Sequence, residues 1–158
     1  SLVHDLVDIV SKNGNLLLNI GPRPDGTIPE GAQQTLLGIG EWLKINGAAI
    51  FDTRPYSMYG EGPVGVPKAF DEKAQLGYSA EDVRFTVNGD TLYATCLGWP
   101  EDAWLIKSLN TDSAKVSSVK LLGSEETLTW TQDESGLKVQ APVTKPCDHA
   151  YVLSLTLA

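Results

Sequence analysis

The apolar pattern of this chain changes period partway along, and that change limits the folds open to it. Between Leu2 and Ile45, apolar residues recur at helical spacing in two stretches: Leu2, Val3, Leu6, Val7, Ile9 and Val10, then Leu36, Leu37, Ile39, Trp42, Leu43 and Ile45. From about Val83 the repeat is two residues, as in Val83-Arg84-Phe85-Thr86-Val87 and Thr91-Leu92-Tyr93-Ala94-Thr95-Cys96-Leu97. Side chains three or four apart share a helix face, whereas alternate residues share a strand face. The chain is therefore read as α+β, with helices first and an antiparallel sheet region after them.

The first half carries its own punctuation. Helices are predicted over 2–13 and 30–46, with Gly14 as the left-handed stop of the first and Pro29 at the start of the second. Between them Leu16 to Ile20 is apolar without alternation, the pattern of a parallel strand covered on both faces. Asp25-Gly26 marks a turn, and Ala48 to Phe51 reads as a second strand. One parallel pair with one crossover helix leaves apolar faces uncovered, which predicts a homo-oligomer formed through that surface. From Pro55 to Gly77 the chain turns to Pro, Gly and Tyr, the composition of a loop or linker. The predicted division is residues 1–62, a linker to about 77, and a sandwich over 78–158.

In the second half, a hairpin is predicted at Asn88-Gly89-Asp90, with Leu92, Ala94 and Cys96 on one face. Further strands follow over 103–108, 116–122, 128–132, 137–141 and 150–157, separated by turn residues, and evenly spaced short strands of this kind make an antiparallel β-sandwich. Trp130 is expected to face Leu137 or Val139 across the turn between them.

Charge and length exclude several functions. A net charge of −8 lacks the clustered Lys and Arg that phosphate backbones need, so no nucleic-acid partner is expected. No apolar run approaches the roughly 20 residues of a membrane-spanning helix, so no membrane partner is expected. Cys96 and Cys147 lack metal-ligand spacing, and His4 and His149 have no third ligand nearby in sequence, so no metal or cofactor is expected. The two cysteines are read as free buried thiols or as a disulfide across the sandwich. No Ser sits in a GxSxG context and no phosphate-binding glycine loop opens a helix.

The acidic residues of the first half mostly have ordinary roles. Asp5 and Asp8 are assigned to the polar side of a helix, Asp25 to a turn, Glu30 to a first helical turn and Glu41 to solvent; Asp71 and Glu72 fall in the predicted linker. Asp52 and Glu61 stand near predicted strand ends, where barrel enzymes place catalytic groups, and are the candidate catalytic residues. Trp99, Trp104 and Tyr93 are the candidate carbohydrate-stacking residues, with ordinary core packing as the competing reading.

The run from Asn13 to Gly47, followed by Ala48 to Tyr56 and Tyr59 to Pro63, resembles the C-terminal part of family 29 α-L-fucosidases, which are retaining glycoside hydrolases. The resemblance continues through Glu81 to Thr86, Gly89 to Ala94, Leu97 to Pro100 and Tyr151 to Leu153, nearly the whole chain. It implies the last strand-helix units of a (β/α)8-like barrel followed by a β-sandwich. It also implies that the family's nucleophile, acid/base carboxylate and fucose-binding histidines lie upstream of Ser1. The chain departs from the family with Ala48 in place of Glu, Phe51 in place of Tyr, Asp52 in place of Gly and Tyr56 in place of Trp. About 250 residues make a whole barrel, so 158 residues read as a truncated relative. The expected role is packing or assembly without fucosidase activity alone. The alternatives are a small hydrolase of glycosides or other esters working through its remaining acidic residues in an oligomer, and a sandwich that binds fucosylated glycans.

Overall fold

The computed structural model describes residues 1–64 and 77–158. Two helices, α1 (Leu2–Ser11) and α2 (Glu30–Asn46), precede a short 3-10 turn (Gly47–Ala49) and eight strands. The strands are β1 (Arg54–Glu61), β2 (Val83–Asn88), β3 (Thr91–Cys96), β4 (Ala103–Ile106), β5 (Val116–Leu121), β6 (Trp130–Asp133), β7 (Gly136–Gln140) and β8 (Tyr151–Leu157). They form a five-stranded sheet in the order β1-β2-β3-β8-β5 and a three-stranded sheet in the order β4-β7-β6. Every pairing is antiparallel.

Each strand read from the period-two pattern of the second half overlaps an observed one, with ends that differ by up to two residues. Asn88 pairs with Thr91 across a two-residue loop whose first position, Gly89, has φ 56°. Glycine there gives the loop a twist that matches the flanking strands. Leu92, Ala94 and Cys96 do share a buried face, and Trp130 stands opposite Val139. The inner faces of the two sheets meet through Phe85, Leu92, Leu153 and Leu155 on one side and Trp104, Ile106, Leu137 and Val139 on the other. Gln132 ties the layers together. Its Oε1 accepts from the Val116 N–H, and its Nε2 donates to the carbonyls of Leu109 and Ala114.

A third layer covers the outer face of the larger sheet. Val3, Val7, Trp42 and Ala49 pack there with Leu97, Ala150 and Val152. The Trp42 indole N–H donates to the Ala150 carbonyl at 2.8 Å, and the Thr86 hydroxyl donates to the Ala49 carbonyl at 2.8 Å. Helices on one side and the smaller sheet on the other leave β2, β3 and β8 largely buried on both faces, uncommon for antiparallel strands.

Four expectations from the sequence are corrected. Leu16 to Ile20 is not a strand: residues 14–23 run without regular structure, and Leu17 is 95% exposed. An isolated apolar run becomes a strand only beside another strand edge that takes its backbone N–H and C=O groups. No described residues offer it one. Residues 48–51 are not a strand either; the Ile50 and Phe51 N–H groups donate back to the Gly47 carbonyl and close a tight turn. Residues 55–61, read as loop or linker by their Pro and Gly content, belong to β1 on the edge of the sandwich. An edge position with a register shift between Pro55 and Gly60 tolerates both residue types. The left-handed residue after α1 is Asn13 (φ 66°), while Gly14 is needed for contact, since a Cβ there would lie 2.8 Å from Ile9 Cγ2. The remainder of the predicted linker, with Asp71 and Glu72, includes residues 65–76, outside the described residues.

Two glycines predict opposite outcomes. Gly136 has φ 138°, and a Cβ there would meet the Ile106 carbonyl oxygen at 2.5 Å. Gly136→Ala is expected to lower the unfolding free energy by about 1–3 kcal/mol. Gly38 lies in an exposed part of α2 with open space around it, and Gly38→Ala is expected to raise stability by roughly 0.5–1 kcal/mol. Urea denaturation of both variants measures the difference, and midpoints in the reverse order would contradict this account.

Candidate functional site

Asp52 and Glu61 stand at opposite ends of β1. Asp52 is exposed with φ 59°, just after the 3-10 turn, and Glu61 is the last residue of the strand. Opposite Arg54 to Glu61, β2 runs only from Val87 to Val83, so strand rise separates the two ends of β1 by roughly 13 Å. A retaining glycosidase needs its two carboxyl groups about 5–5.5 Å apart, so these two do not form such a pair within one chain. The Glu61 carboxylate already has partners. It accepts from the backbone N–H groups of Lys107 at 2.9 Å and Ser108 at 2.7 Å, joining the end of β1 to the turn after β4.

The three aromatic candidates do not assemble into one surface. Trp104 is buried in the inner core, its indole N–H donating to the Gly98 carbonyl at 3.0 Å. It is a core residue, and its sequence assignment to a sugar platform is corrected. Trp99 is half-buried, edge-on to Trp104 and Tyr151 at centroid distances of 5.1 and 4.7 Å, with the Lys145 ammonium 5.5 Å from its ring centre. Tyr93 packs on the other side of the same sheet, under the helices. Cys96 and Cys147 are both free thiols, and burial raises the pKa of each.

Polar side chains converge instead where α1 meets the sheet. Arg84 projects from the outer face of β2 and is 2% exposed. Its Nε donates to Asp8 Oδ1 at 2.6 Å, and its Nη1 donates to the carbonyls of Glu61 and Val83. The guanidinium lies 5.4 Å from the ring centres of both Tyr59 and Tyr78. Lys12 bonds the other Asp8 oxygen at 2.6 Å and sits 4.9 Å from the Tyr59 ring. Asp8 therefore belongs to an ion-paired contact rather than to the solvent side of its helix. His4 extends the junction: its ring is edge-on to Tyr78 at 5.3 Å, and its Nε2 lies 2.8 Å from the His149 carbonyl oxygen. Sequence reasoning missed this group. The signal was Arg84 itself, a charged residue at an outward position of a strand whose outward face also carries helices.

The charges of Asp8, Lys12 and Arg84 pair with one another, which ties α1 to β2. Among the described residues, no three His, Cys, Asp or Glu side chains are grouped to hold a metal ion. One cleft, about 770 Å³, lies between Glu61, Gly62, Pro63 and Glu81 on one side and Leu105 and Lys107 on the other. A smaller one, about 280 Å³, runs between Leu18, Ile20 and the Ala32 and Leu36 side of α2.

Two sequence families match the chain: "Alpha-L-fucosidase" over residues 1–48 and "Alpha-L-fucosidase C-terminal domain" over residues 75–156. Tissue alpha-L-fucosidase of Mus musculus is 37% identical over 161 residues, covering 98% of this chain and 32% of that protein. The alpha-L-fucosidase of Branchiostoma floridae is 33% identical over 159 residues, with 98% and 32% covered. Among solved structures, Thermotoga maritima alpha-fucosidase in complex with fucose superposes with a TM-score of 0.75 at 30% identity, covering 98% of this chain and 33% of that one. The chain spans about a third of the length of the curated relatives it matches.

The junction makes stability depend on pH. Burial pushes the His4 imidazole below its ordinary range, against the smaller opposing effect of its bond to the His149 carbonyl. Below about pH 6.5 the unfolded chain takes up this proton more readily than the folded one. Stability is therefore expected to fall as pH drops from about 6.5 towards the lower folded value, then to level off as far as His4 is concerned. His4→Gln keeps an N–H donor for the carbonyl and is expected to lose that part of the slope. Unfolding free energies of both proteins at pH 7.5 and pH 5.5 measure it; equal drops would rule out His4 as the source.

Proposed function

The chain belongs to the alpha-L-fucosidase family, and from that premise we propose that it serves as the family's C-terminal bracing part, which docks onto the catalytic elements without supplying the reacting groups. The observation that carries this reading is the number of exposed apolar side chains in the segment before β1, five against Met58, Leu105 and Val143 in the rest of the described chain. Leu17, Leu18, Ile20, Leu37 and Phe51 are exposed, and all lie in the segment that precedes β1. Of the 17 residues of α2, only Trp42 and Asn46 are buried. Covering a few hundred Å² of such surface stabilises by several kcal/mol, at roughly 25 cal/mol per Å². In a whole fucosidase the covering surface belongs to the remaining two thirds of the protein. Hydrolysis of α-L-fucosides by a retaining mechanism then belongs to the whole protein, with both carboxylates outside this chain.

The reading makes an assay decisive. Incubated alone with an aryl α-L-fucoside, the chain is expected to release no aryl alcohol above the buffer rate. Turnover that disappears in Asp52→Asn or Glu61→Gln would reject the bracing role and establish an enzyme, two chains sharing one site being the arrangement left open by the β1 geometry.

When the chain stands alone, the same surface is available to a second copy. A symmetric dimer is expected at micromolar concentration in sedimentation equilibrium, because two such patches facing each other remove both from water. Leu17→Asp and Leu37→Asp are expected to dissociate it while the sandwich stays folded. A 17.0 kDa monomer across that concentration range would end the proposal of self-association.

A further inference from the structure

We propose that Asn88 is the residue at which this protein deamidates spontaneously, a modification site set by the β2–β3 hairpin. The chemistry is intrinsic to Asn-Gly sequences. The backbone nitrogen of the glycine loses its proton to base and attacks the asparagine side-chain carbon, and ammonia leaves. The resulting succinimide takes up one water at either carbonyl, giving aspartate or isoaspartate. Glycine favours the attack because no Cβ hinders the nitrogen's approach.

The chain contains three such pairs, Asn13-Gly14, Asn46-Gly47 and Asn88-Gly89. The fold treats them differently. At the first, the Gly14 N–H donates to the Ile9 carbonyl at 2.9 Å, as part of the stop after α1. At the second, the Gly47 N–H donates to the Leu43 carbonyl, and Asn46 is fully buried with its Nδ2 donating to the Trp42 carbonyl. Both nitrogens are held as donors, which opposes loss of the proton and turns them away from attack. Neither constraint applies at the third. Asn88 and Gly89 are both exposed, and the Gly89 N–H has no acceptor among the described residues, as expected at the first central position of a two-residue loop.

The product matters because of where the hairpin lies. Isoaspartate adds one carbon to the backbone path at the end of a strand pair in strict register from Val83–Cys96 to Asn88–Thr91. The same strand carries Arg84 and Thr86, which hold α1 and the 3-10 turn.

The test is to incubate the folded chain at pH 8 beside the same chain in urea, and to follow all three asparagines by protease digestion and mass spectrometry. In urea all three are expected to convert. In the folded chain Asn88 is expected to convert at close to its urea rate, while Asn13 and Asn46 are slowed at least about tenfold by the opening their hydrogen bonds require. Asn88→Gln is expected to leave no early-converting site in the folded protein. Protection of Asn88 equal to that of the other two, or earlier conversion at Asn13 or Asn46, would overturn the proposal.

Discussion

A buried guanidinium is the constraint on which the arrangement of the two halves depends. Arg84 lies under α1 with almost no exposure, and a charge in that position is tolerable only when its donors and its field are answered locally. Asp8 answers the charge, the Glu61 and Val83 carbonyls accept from Nη1, and the Tyr59 and Tyr78 rings flank the planar group. Removing one member of such a pair costs about 3–5 kcal/mol, since it strands the other, although the intact pair stabilises much less than that. The ion pair thus acts mainly as a register pin. It sets which turn of α1 meets which residue of β2, and a shift of one residue along the strand would turn Arg84 into the sandwich core.

This pin joins the two parts that composition sets apart. Asp8 and His4 come from the helical segment, yet their partners are Arg84, Tyr78 and the His149 carbonyl of the sandwich segment. Trp42 and Ala49 make the same connection through the Ala150 carbonyl and Thr86. The helices are an outer layer of the sandwich as much as an end of anything that precedes them. β1 reinforces the link: it follows directly from the helical segment and ends at Glu61, whose carboxylate is bound to the backbone after β4.

How much of this was legible in the sequence depended on whether the information was local. Both helices, the β2–β3 hairpin, the pairing of Trp130 with Val139 and the turn at Asp25-Gly26 follow from side-chain period and turn chemistry, which a few neighbouring residues determine. Leu16 to Ile20 has strand composition as clearly as Val83 to Val87 does, but only the second has neighbours to pair with. Composition reports a preference, whereas the ladder needs a second strand. β1 failed in the opposite sense, because Pro and Gly disguise a strand that an edge position accommodates. The aromatic candidates show the same limit: period two puts Tyr93 opposite in facing to Leu92 and Ala94, but which face carries the helices is a tertiary fact.

The functional consequence rests on an asymmetry in how the apolar surface is spent. Within the sandwich, large apolar side chains such as Trp104, Leu137 and Leu153 are sealed between two sheets, and the outer sheet face is sealed again by Val3, Val7 and Trp42. Beyond Trp42 towards the start of α2 the sealing stops: Leu37 is 66% exposed, and Leu17 in the run before the helix is 95% exposed. A chain selected only to bind sugar on its sandwich would have no reason to keep a helix-and-coil surface apolar where it meets water, since scattered polar replacements there cost no core packing. An exposed apolar surface is what the proposed docking onto a larger body would use. The acidic residues agree, because the Glu61 carboxylate is committed to the backbone amides of Lys107 and Ser108 and stands at the far end of β1 from Asp52. Under the proposed bracing role, the helical outer layer of the sandwich would be shared with what it supports.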